Sequence, residues 1–438
     1  MSEIRVRFAP SPTGKVHIGN IRAAIYNWLF ARHTGGKFLL RVEDTDLERS
    51  TPEAIKVLFE CMQWLGLDYD EEVFYQTRNR DRHMEVVEQL LSSGHAYRVE
   101  RTSREGKTGM VTMFRMPKTG VIEFDDMVKG HMAKKAEDIQ DFAIVRSDGS
   151  PIFHIANVVD DIDQRITHII RGDDHVENTF KHICIFRALG KDVPRYGHLS
   201  MIVNQQGKPY SKRDGAAFVG EYREQGYLPE ALFNYLLLLG WNPGDDREVL
   251  SRDEMIRLFE LENVHVTAAM FDPKKLAWMN GEYIKRMPKA DFLAEIVRRA
   301  AAAGQQIPEG FDLSSLADQL QVRTKFLNDI PAATQCFFSD DYPFDRKAVD
   351  KRLAKEGVKV LLEDIIARFA AVEDWRAIVL EELVKGLSQG NGMGPWVHPI
   401  RVAVSGRGEG IGLFEMLELL GKEKTLKRLK SAAETLAL

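Results

Sequence analysis

Residues Ile4 to Asn20 read I-R-V-R-F-A-P-S-P-T-G-K-V-H-I-G-N, and the local conformation of this stretch decides the fold. Ile4, Val6 and Phe8 alternate with Arg5 and Arg7, the two-residue period of a strand. Pro10, Pro12 and Gly14 forbid continuation of strand or helix. Ile21, Ala24, Ile25, Trp28 and Leu29 then recur at helical spacing, and the pair Gly35-Gly36 ends the helix. Strand, tight turn and helix follow one another, with His17, Gly19 and Asn20 at the helix mouth. The first backbone N–H groups there are expected to be unpaired and the dipole positive, so a phosphate is a natural guest. An ordinary βα unit with a solvated His17 carries the same local pattern.

A chain of 438 residues predicts two to four domains. Its 44% hydrophobic and 29% charged content is that of a globular chain. No apolar run is long enough to span a bilayer, and the first residues lead straight into the strand without a secretory or transit pattern. The expected location is the cytoplasm. Cys61, Cys184 and Cys336 lie far apart, which disfavours a disulfide framework and a Cys-rich zinc site and makes each a small core residue. A net charge of −5 does not advertise nucleic-acid binding, so any RNA contact must rest on local basic patches.

Further along, Lys37 to Val42 is an apolar strand followed by Glu43-Asp44-Thr45-Asp46. In doubly wound sheets ligands bind at that carboxyl end; the acidic cluster suits an amino group or Mg2+, and equally a solvated Asx-capped loop. Helices are predicted from Thr51-Pro52 to Gly66 and from about Asp81 to Ser93. From Arg98 to about Lys135, Gly106, Gly109, Gly120 and Gly130 punctuate short apolar stretches, a small β-rich insertion. Asp141 to Val145 is expected to resume the sheet. A turn at Gly149-Ser150-Pro151 then feeds a buried strand, Ile152 to Val159, ending in Asp160 and Asp161. A further strand, Ile166 to Ile170, ends in Arg171-Gly172-Asp173-Asp174-His175, with a helix from about Asn178 to Leu189; together these make a second nucleotide-binding half. Gly207-Lys208-Pro209-Tyr210-Ser211-Lys212-Arg213-Asp214-Gly215 places three cations in a mobile, anion-seeking loop, a pattern shared with plain basic surface loops. Pro229 to Leu239 is apolar almost all round, and beyond Ala300 the pattern is of amphipathic helices. The basic stretch Lys422 to Lys430 suits RNA or a helix dipole alike.

The combination of R-F-A-P-S-P-T-G with H-I-G-N resembles the first signature of class I aminoacyl-tRNA synthetases, the HIGH motif, with Asn20 in its last place. The flanking residues resemble the glutamyl and glutaminyl branch, and the bacterial glutamyl form in particular. R-V-E-D-T-D-L-E-R-S from Arg41, Y-Q-T-R from Tyr75, F-D-P-K-K-L-A-W-M-N from Phe271, and the helical stretches Thr324–Phe338 and Ile400–Arg428 resemble that family in the same order. P-Y-S-K-R from Pro209 resembles the KMSKS signature; the motif's first lysine falls on Pro209, with Lys208 one residue early.

The resemblance implies an α/β fold: a Rossmann-like, HIGH-type nucleotide-binding catalytic domain with a small inserted acceptor-binding subdomain, plus an all-α C-terminal anticodon-binding region. The implied limits are 1–97 and 141–206 for the two catalytic halves, 98–140 for the insertion, 207–300 for a stem-contact region with the KMSKS-like loop, and 301–438 for the anticodon-binding region. It implies ATP-dependent ligation of L-glutamate to tRNA(Glu) through glutamyl-adenylate, using ATP with Mg2+, by a monomer that engages no membrane. His17, Asn20 and Lys212 are the implied catalytic residues. Arg7, Ala9, Ser11, Glu43, Phe153, Asn157 and Arg171 are implied for glutamate, with Glu43 on the α-amino group. His17, Gly19, Asn20, Asp174 and Lys212 are implied for ATP, and no residue for a metal. Position 153 is often Tyr and position 174 often Glu in relatives. Many bacterial members carry a Cys-based zinc knuckle in the insertion; this chain lacks those cysteines, so no structural zinc is expected.

No side-chain nucleophile is needed, because the substrate carboxylate is one; the protein positions and neutralises charge. A γ-carboxylate calls for a guanidinium that forms two parallel bonds, and Arg7 and Arg171 are the candidates. The alternatives are a form that also charges tRNA(Gln), a glutaminyl enzyme, a glutamyl-queuosine tRNA modifier, a small-molecule nucleotidyltransferase, and an RNA-binding paralogue without catalysis. The long helical C-terminal third argues against the modifier and the nucleotidyltransferase. The joint presence of His17, Glu43, Arg171 and Lys212 argues against loss of catalysis.

Overall fold

The computed structural model describes residues 3–12, 14–46, 50–102, 108–388 and 392–435; Thr13, Gly106 and residues 47–49 of the sequence motifs lie outside them. The chain divides into two compact units, Met1–Glu224 with Leu228–Leu276, and Gln225–Tyr227 with Ala277–Leu438.

The first unit opens with β1 (Arg5–Phe8), α1 (Ile18–Thr34) and β2 (Lys37–Val42). β1 and β2 are parallel, with Arg5 opposite Lys37 and Phe8 opposite Leu40. Gly35, at φ 66°, caps α1 in the left-handed conformation. The next residue must be glycine for another reason: a Cβ on Gly36 would lie 2.5 Å from the Ile4 carbonyl oxygen. α1 is buried on nearly every side, and that includes Arg22 and Asn27. Asn27 Nδ2 donates to the Ile170 carbonyl at 2.9 Å, fastening the helix to a strand far along the chain.

α2 (Pro52–Trp64), capped by the Thr51 side chain, leads to β3 (Phe74–Tyr75), which pairs in parallel with β2, and to α3 (Arg80–Ser92). The insertion follows as β4 (Ala96–Thr102), β5 (Thr108–Phe114), the hairpin β6 (Val121–Asp126) and β7 (Gly130–Lys135), and β8 (Phe142–Val145). β8 was expected to resume the sheet of the nucleotide fold. It pairs instead antiparallel with β5, so the sheet order is β4-β5-β8. A four-residue apolar run carries no information about which sheet it will join.

A second expectation is overturned next to it. Residues 152–161 form no strand; Phe153–Asp163 is a helix, α4. Ile155, Ala156, Val158 and Val159 are buried, and so are Asn157, Asp160 and Asp161. Ile155, Val158, Val159 and Ile162 do recur at helical spacing, but the short β-branched run between a turn and two carboxylates reads equally as a strand. β9 (His168–Gly172), α5 (Val176–Ala188) and β10 (Arg195–Leu199) complete the second half, with β9 and β10 parallel. Thr167 N–H donates to the Arg5 carbonyl at 3.0 Å, joining the approach to β9 onto β1. The carboxyl ends of β1, β2, β9 and β10 therefore face one region. A core cluster from Leu39, Ile144, Ile155, Val158, Ile169, Ile183 and Phe186 packs beneath it. Each such side chain contributes about 1.5–3 kcal/mol on burial.

The second unit is helical: nine helices run between Lys289 and Thr435 among the described residues. Much of the basic stretch near the C-terminus is spent on neighbouring helices, while Lys430 is exposed. Lys424 Nζ donates to the Phe337 carbonyl (3.1 Å), Arg428 to those of Val404 and Ser339 (2.8 and 2.9 Å), and Lys422 to that of Val372 (2.6 Å). These carbonyls lie at the C-terminal ends of the helices Ile330–Phe338, Gly394–Ser405 and Val358–Ala370, or just beyond them. The cations thus satisfy carbonyls that those helices leave unbonded. Among the described residues no helix is long and apolar enough to cross a membrane.

Gly36→Ala tests the close approach of α1's exit to β1. With backbone rather than a flexible side chain in the way, the substitution is expected to destabilise the protein by about 1–3 kcal/mol. Urea unfolding reads it; a loss below about 0.5 kcal/mol would contradict the contact.

Candidate active site

A cavity of about 630 Å³ opens at the carboxyl ends of the parallel strands. Arg7, Ala9 and Ser11 at the end of β1, Glu43 after β2, Arg171 near the end of β9 and Asp174 after it line it. His17, Gly19 and Asn20 enter from the start of α1, Phe153 and Asn157 from α4. Leu199 to Ile202 after β10, with Pro209 and Tyr210, close the far wall. Every residue named from the sequence for glutamate or ATP thus borders one space, with the exception of Lys212.

The floor is a buried charge cluster that spacing along the chain did not reveal. Arg7 Nε meets Asp161 Oδ1 at 3.0 Å, and the fully buried Arg41 meets the same oxygen at 2.7 Å. Arg41 also lies 3.7 Å from Glu43 and 4.0 Å from Asp160. Asp160 accepts from Gln76 (2.8 Å) and Asn79 (2.9 Å) and bonds His83 at 2.6 Å. Burial pushes the Asp161 carboxyl up, yet Arg41 and Arg7 outweigh it and hold it below the usual range. Glu43 goes the other way: burial pushes its carboxyl up against the pull of the same arginines. Asn157 Nδ2 donates to Glu43 at 2.6 Å, aiming the carboxylate at the cavity it lines.

Arg171 differs from Arg7. Among the described residues it has no carboxylate partner; its hydrogen bonds go to Thr179 Oγ1 (2.7 Å), His198 Nε2 (3.4 Å) and the His175 carbonyl (3.4 Å). Burial draws its pKa down to about 10. A buried guanidinium without a counter-ion is costly alone and favourable once an anion arrives.

The helix mouth corrects the expectation of free N–H groups. The His17 ring caps α1, its Nδ1 accepting from Gly19 N–H at 3.0 Å. Ile18 N–H donates to the Ala217 carbonyl and Asn20 N–H to that of His17, at 3.0 and 3.1 Å. A side chain able to cap filled the place reserved for a ligand. Because Nδ1 accepts, the proton sits on Nε2; burial lowers the His17 pKa, against a pull upward from the Tyr210 carbonyl, so the ring is a neutral donor at neutral pH.

The basic loop reaches this mouth. Val219 N–H donates to the Val16 carbonyl, and Phe218 sets its ring edge-on to His17, centroids 5.8 Å apart. Lys212 lies over the same Phe218 ring, Nζ 4.7 Å from its centroid, exposed and just outside the cavity wall. Asp214 folds the loop on itself, accepting from Ser211 N–H (2.9 Å) and Asn204 Nδ2 (2.7 Å). Lys208 is exposed, its backbone N–H bonded to Asn204.

A parallel sheet with a nucleotide-sized cavity at its carboxyl edge, a histidine-capped helix on one side and a lysine loop tied to that cap defines a class I synthetase type of catalytic domain. A family profile described as tRNA synthetases class I (E and Q), catalytic domain, matches residues 3–110 and 99–278, and one described as an anticodon binding domain matches 268–433. A glutamate–tRNA ligase of Francisella philomiragia is 40% identical, covering 99% of both chains. Glutamate–tRNA ligase 2 of Thermoanaerobacter pseudethanolicus is 38% identical over 99% of this chain and 98% of its own. The chain belongs to the glutamate–tRNA ligase family. A crystal structure of a glutamate tRNA ligase from Elizabethkingia meningosepticum, in complex with its amino acid, superposes with a TM-score of 0.86 at 30% identity, over 99% of this chain and 100% of that one.

Asp161→Asn leaves two buried guanidinium groups without their shared carboxylate. The expected loss is about 3–5 kcal/mol in urea unfolding, and a change under about 1 kcal/mol would show that the cluster is not a support. A pH series tests two half-buried histidines, His154 and His168. Burial, aided by Lys181 for His154 and Arg195 for His168, draws both pKa values to about 4. The folded state keeps both rings neutral where the unfolded chain, with a pKa near 6.5, takes up protons. Stability is therefore lost as pH falls from about 6.5 towards 4, by roughly 1.4 kcal/mol per pH unit for each ring. His168→Gln is expected to make that slope shallower; an unchanged slope contradicts the assignment.

Proposed function

We propose that this protein is a glutamyl-tRNA synthetase, joining L-glutamate to tRNA(Glu) at the expense of ATP. The observation that carries the reading is Arg171, a buried cation with no carboxylate partner among the described residues, in one cavity with the neutral donor His17. An anionic side chain supplies what Arg171 lacks. Glutamine would offer it an amide N–H in place of one acceptor, leaving buried donors facing each other. Glu43, held by Asn157, takes the α-amino group, with Ala9, Ser11 and the Phe153 ring shaping the same end of the cavity. Arg7, already shared with Asp161, contributes positive field and the cavity's shape.

In the first step an oxygen of the glutamate α-carboxylate attacks the α-phosphorus of ATP, and pyrophosphate leaves with the bonding electrons of the broken P–O bond. His17 Nε2–H, Asn20 and the turn at Gly19 hold phosphate and ribose oxygens from one side. Lys212 closes from the other, and Asp174 borders the nucleotide. In the second step a ribose hydroxyl of the terminal adenosine of tRNA attacks the acyl carbon, and AMP departs. The groups aimed at the phosphates are the neutral His17 ring and the exposed Lys212 ammonium, and what they bring to the barrier is donors set in place before the reaction. Among the described residues no group of His, Cys, Asp or Glu is built to hold a metal, so Mg2+ is read as the counter-ion of the triphosphate.

The remaining assignments belong to the same proposal. The insertion 98–140 receives the acceptor end, residues 207–300 the stem, and the helices of 301–438 the anticodon. The chain works as a cytoplasmic monomer. In that stem region Lys275 and Lys285 are paired with Glu248 (2.5 Å) and Glu282 (2.6 Å), so neither ammonium is offered unpaired to an RNA phosphate.

ATP–pyrophosphate exchange with glutamate, run with and without tRNA, and charging of purified tRNA(Glu) and tRNA(Gln) test the reading. Glutamate-dependent exchange and charging of tRNA(Glu) are expected; charging of tRNA(Gln) as well would make the enzyme non-discriminating, and exchange with glutamine alone would overturn the proposal. Arg171→Ala should raise the KM for glutamate about a hundredfold or more while the KM for ATP stays near normal. Lys212→Ala should lower kcat by about two orders of magnitude with little change in either KM.

A further inference from the structure

The uncompensated charge on Arg171 raises the question of what holds it. The hydrogen bonds behind it lead out of the catalytic sheet into the insertion. Asp126 closes strand β6, and its Oδ1 accepts from the N–H groups of Val128 and Lys129, both at 2.9 Å. Its Oδ2 lies 2.5 Å from His198 Nδ1, and both side chains are fully buried. The turn itself rests on β10: Met127 N–H donates to the Tyr196 carbonyl at 2.8 Å, and a Cβ on Gly197 would come within 3.3 Å of the Met127 methyl. His198 Nε2 is 3.0 Å from Thr179 Oγ1 and 3.4 Å from Arg171 Nε. Thr179 Oγ1 accepts from Arg171 Nη2 at 2.7 Å.

We propose that Asp126 and His198 are positioning residues for Arg171, setting the glutamate affinity and selectivity of the cavity from within the insertion. The inference rests on the functional reading above.

The chemistry follows from donors and acceptors. An ionised carboxylate accepts and cannot donate, so the proton of the His198 ring sits on Nδ1. Nε2 then presents a lone pair to Arg171 and Thr179. A neutral acceptor at that place orients the guanidinium without neutralising it. A carboxylate there would quench the charge before the substrate arrived, as Asp161 does for Arg7. A donor there would face the Arg171 N–H groups and push them aside. Burial, which lowers the His198 pKa against the opposing pull of Asp126, keeps the ring neutral. Asp126 is thus the group that selects the tautomer, and it does so from the hairpin β6–β7. A second tie from that hairpin, Lys129 Nζ to Asp173 at 3.3 Å, lands beside Asp174 of the cavity wall.

Asp126→Asn keeps an oxygen for the turn N–H groups and can offer an amide donor to Nδ1, which moves the ring proton to Nε2. His198→Phe keeps a ring and removes the acceptor. Each single variant is expected to raise the KM for glutamate about tenfold or more, with the KM for ATP within about twofold, and to narrow the preference for glutamate over glutamine. The double variant is expected to be no worse than the worse single one, because both cut the same chain. A rise shared equally by both substrates, no rise in either, or additive effects in the double variant would overturn the proposal. If Asp126→Asn fails to fold, His198→Phe decides on the same split between substrates. Wild-type charging separates the two levels: if the unaltered protein charges no glutamate the functional reading fails, and if it does while the variants leave glutamate untouched, this inference alone fails.

Discussion

One carboxylate, Asp161, shared by two buried guanidinium groups, is the constraint on which the rest of the first unit depends. It ties β1 through Arg7, β2 through Arg41, and α4 through its own backbone. The neighbouring Asp160 extends the knot to α3 through His83 and to the turn before it through Gln76. Strand ends in a doubly wound sheet otherwise have little to fix their mutual height, because the ladder stops there. In an interior of low dielectric constant these attractions are strong, and desolvation is the cost they must exceed. The cavity floor is therefore tied to four elements at once.

That knot also divides the labour of the arginines. Arg7 enters the cavity with its charge already balanced, and Arg171 enters without a carboxylate of its own. Two guanidinium groups in one pocket would be indistinguishable by residue type, yet they differ in what they can offer an incoming anion. Arg7 supplies field and shape, and Arg171 supplies an unmet demand. The second is the stronger basis for choosing an acidic over an amide side chain, since the penalty for the wrong choice is an unpaired buried donor. The opposite end of the cavity is built differently, with a neutral imidazole on one side and a solvent-exposed lysine just beyond the wall.

Much of this was legible from local chemistry. The strand of Arg5–Phe8, the Pro/Gly turn and the helix to Gly35 follow from period and from turn residues, and the strand at Lys37–Val42 has the limits read from its composition. The lysine loop and the cavity wall were reached through motif resemblance, and the structure gathers those residues in one region. What escaped was of two kinds. α4 was misread because its β-branched run, Ile155 with Val158 and Val159, was weighed above the helical spacing those same residues keep, and β8 because strand pairing is a long-range choice. Arg41, His83 and His198 escaped because their carboxylate partners are distant in sequence, at separations of 120, 77 and 72 positions. A weak signal did exist: a lone arginine inside F-L-L-R-V and paired aspartates after V-V are charges in apolar company, which rarely persist without a counterpart.

The ring that closes the first turn of α1 has a dual engagement with a consequence of its own. Since Nδ1 of His17 is occupied by the Gly19 amide, the imidazole has one nitrogen left to give and no freedom to swap them. Taking up a second proton would uncap the helix. Acidification would then fray the first turn of α1 and alter the face that the ring turns to the cavity in a single event.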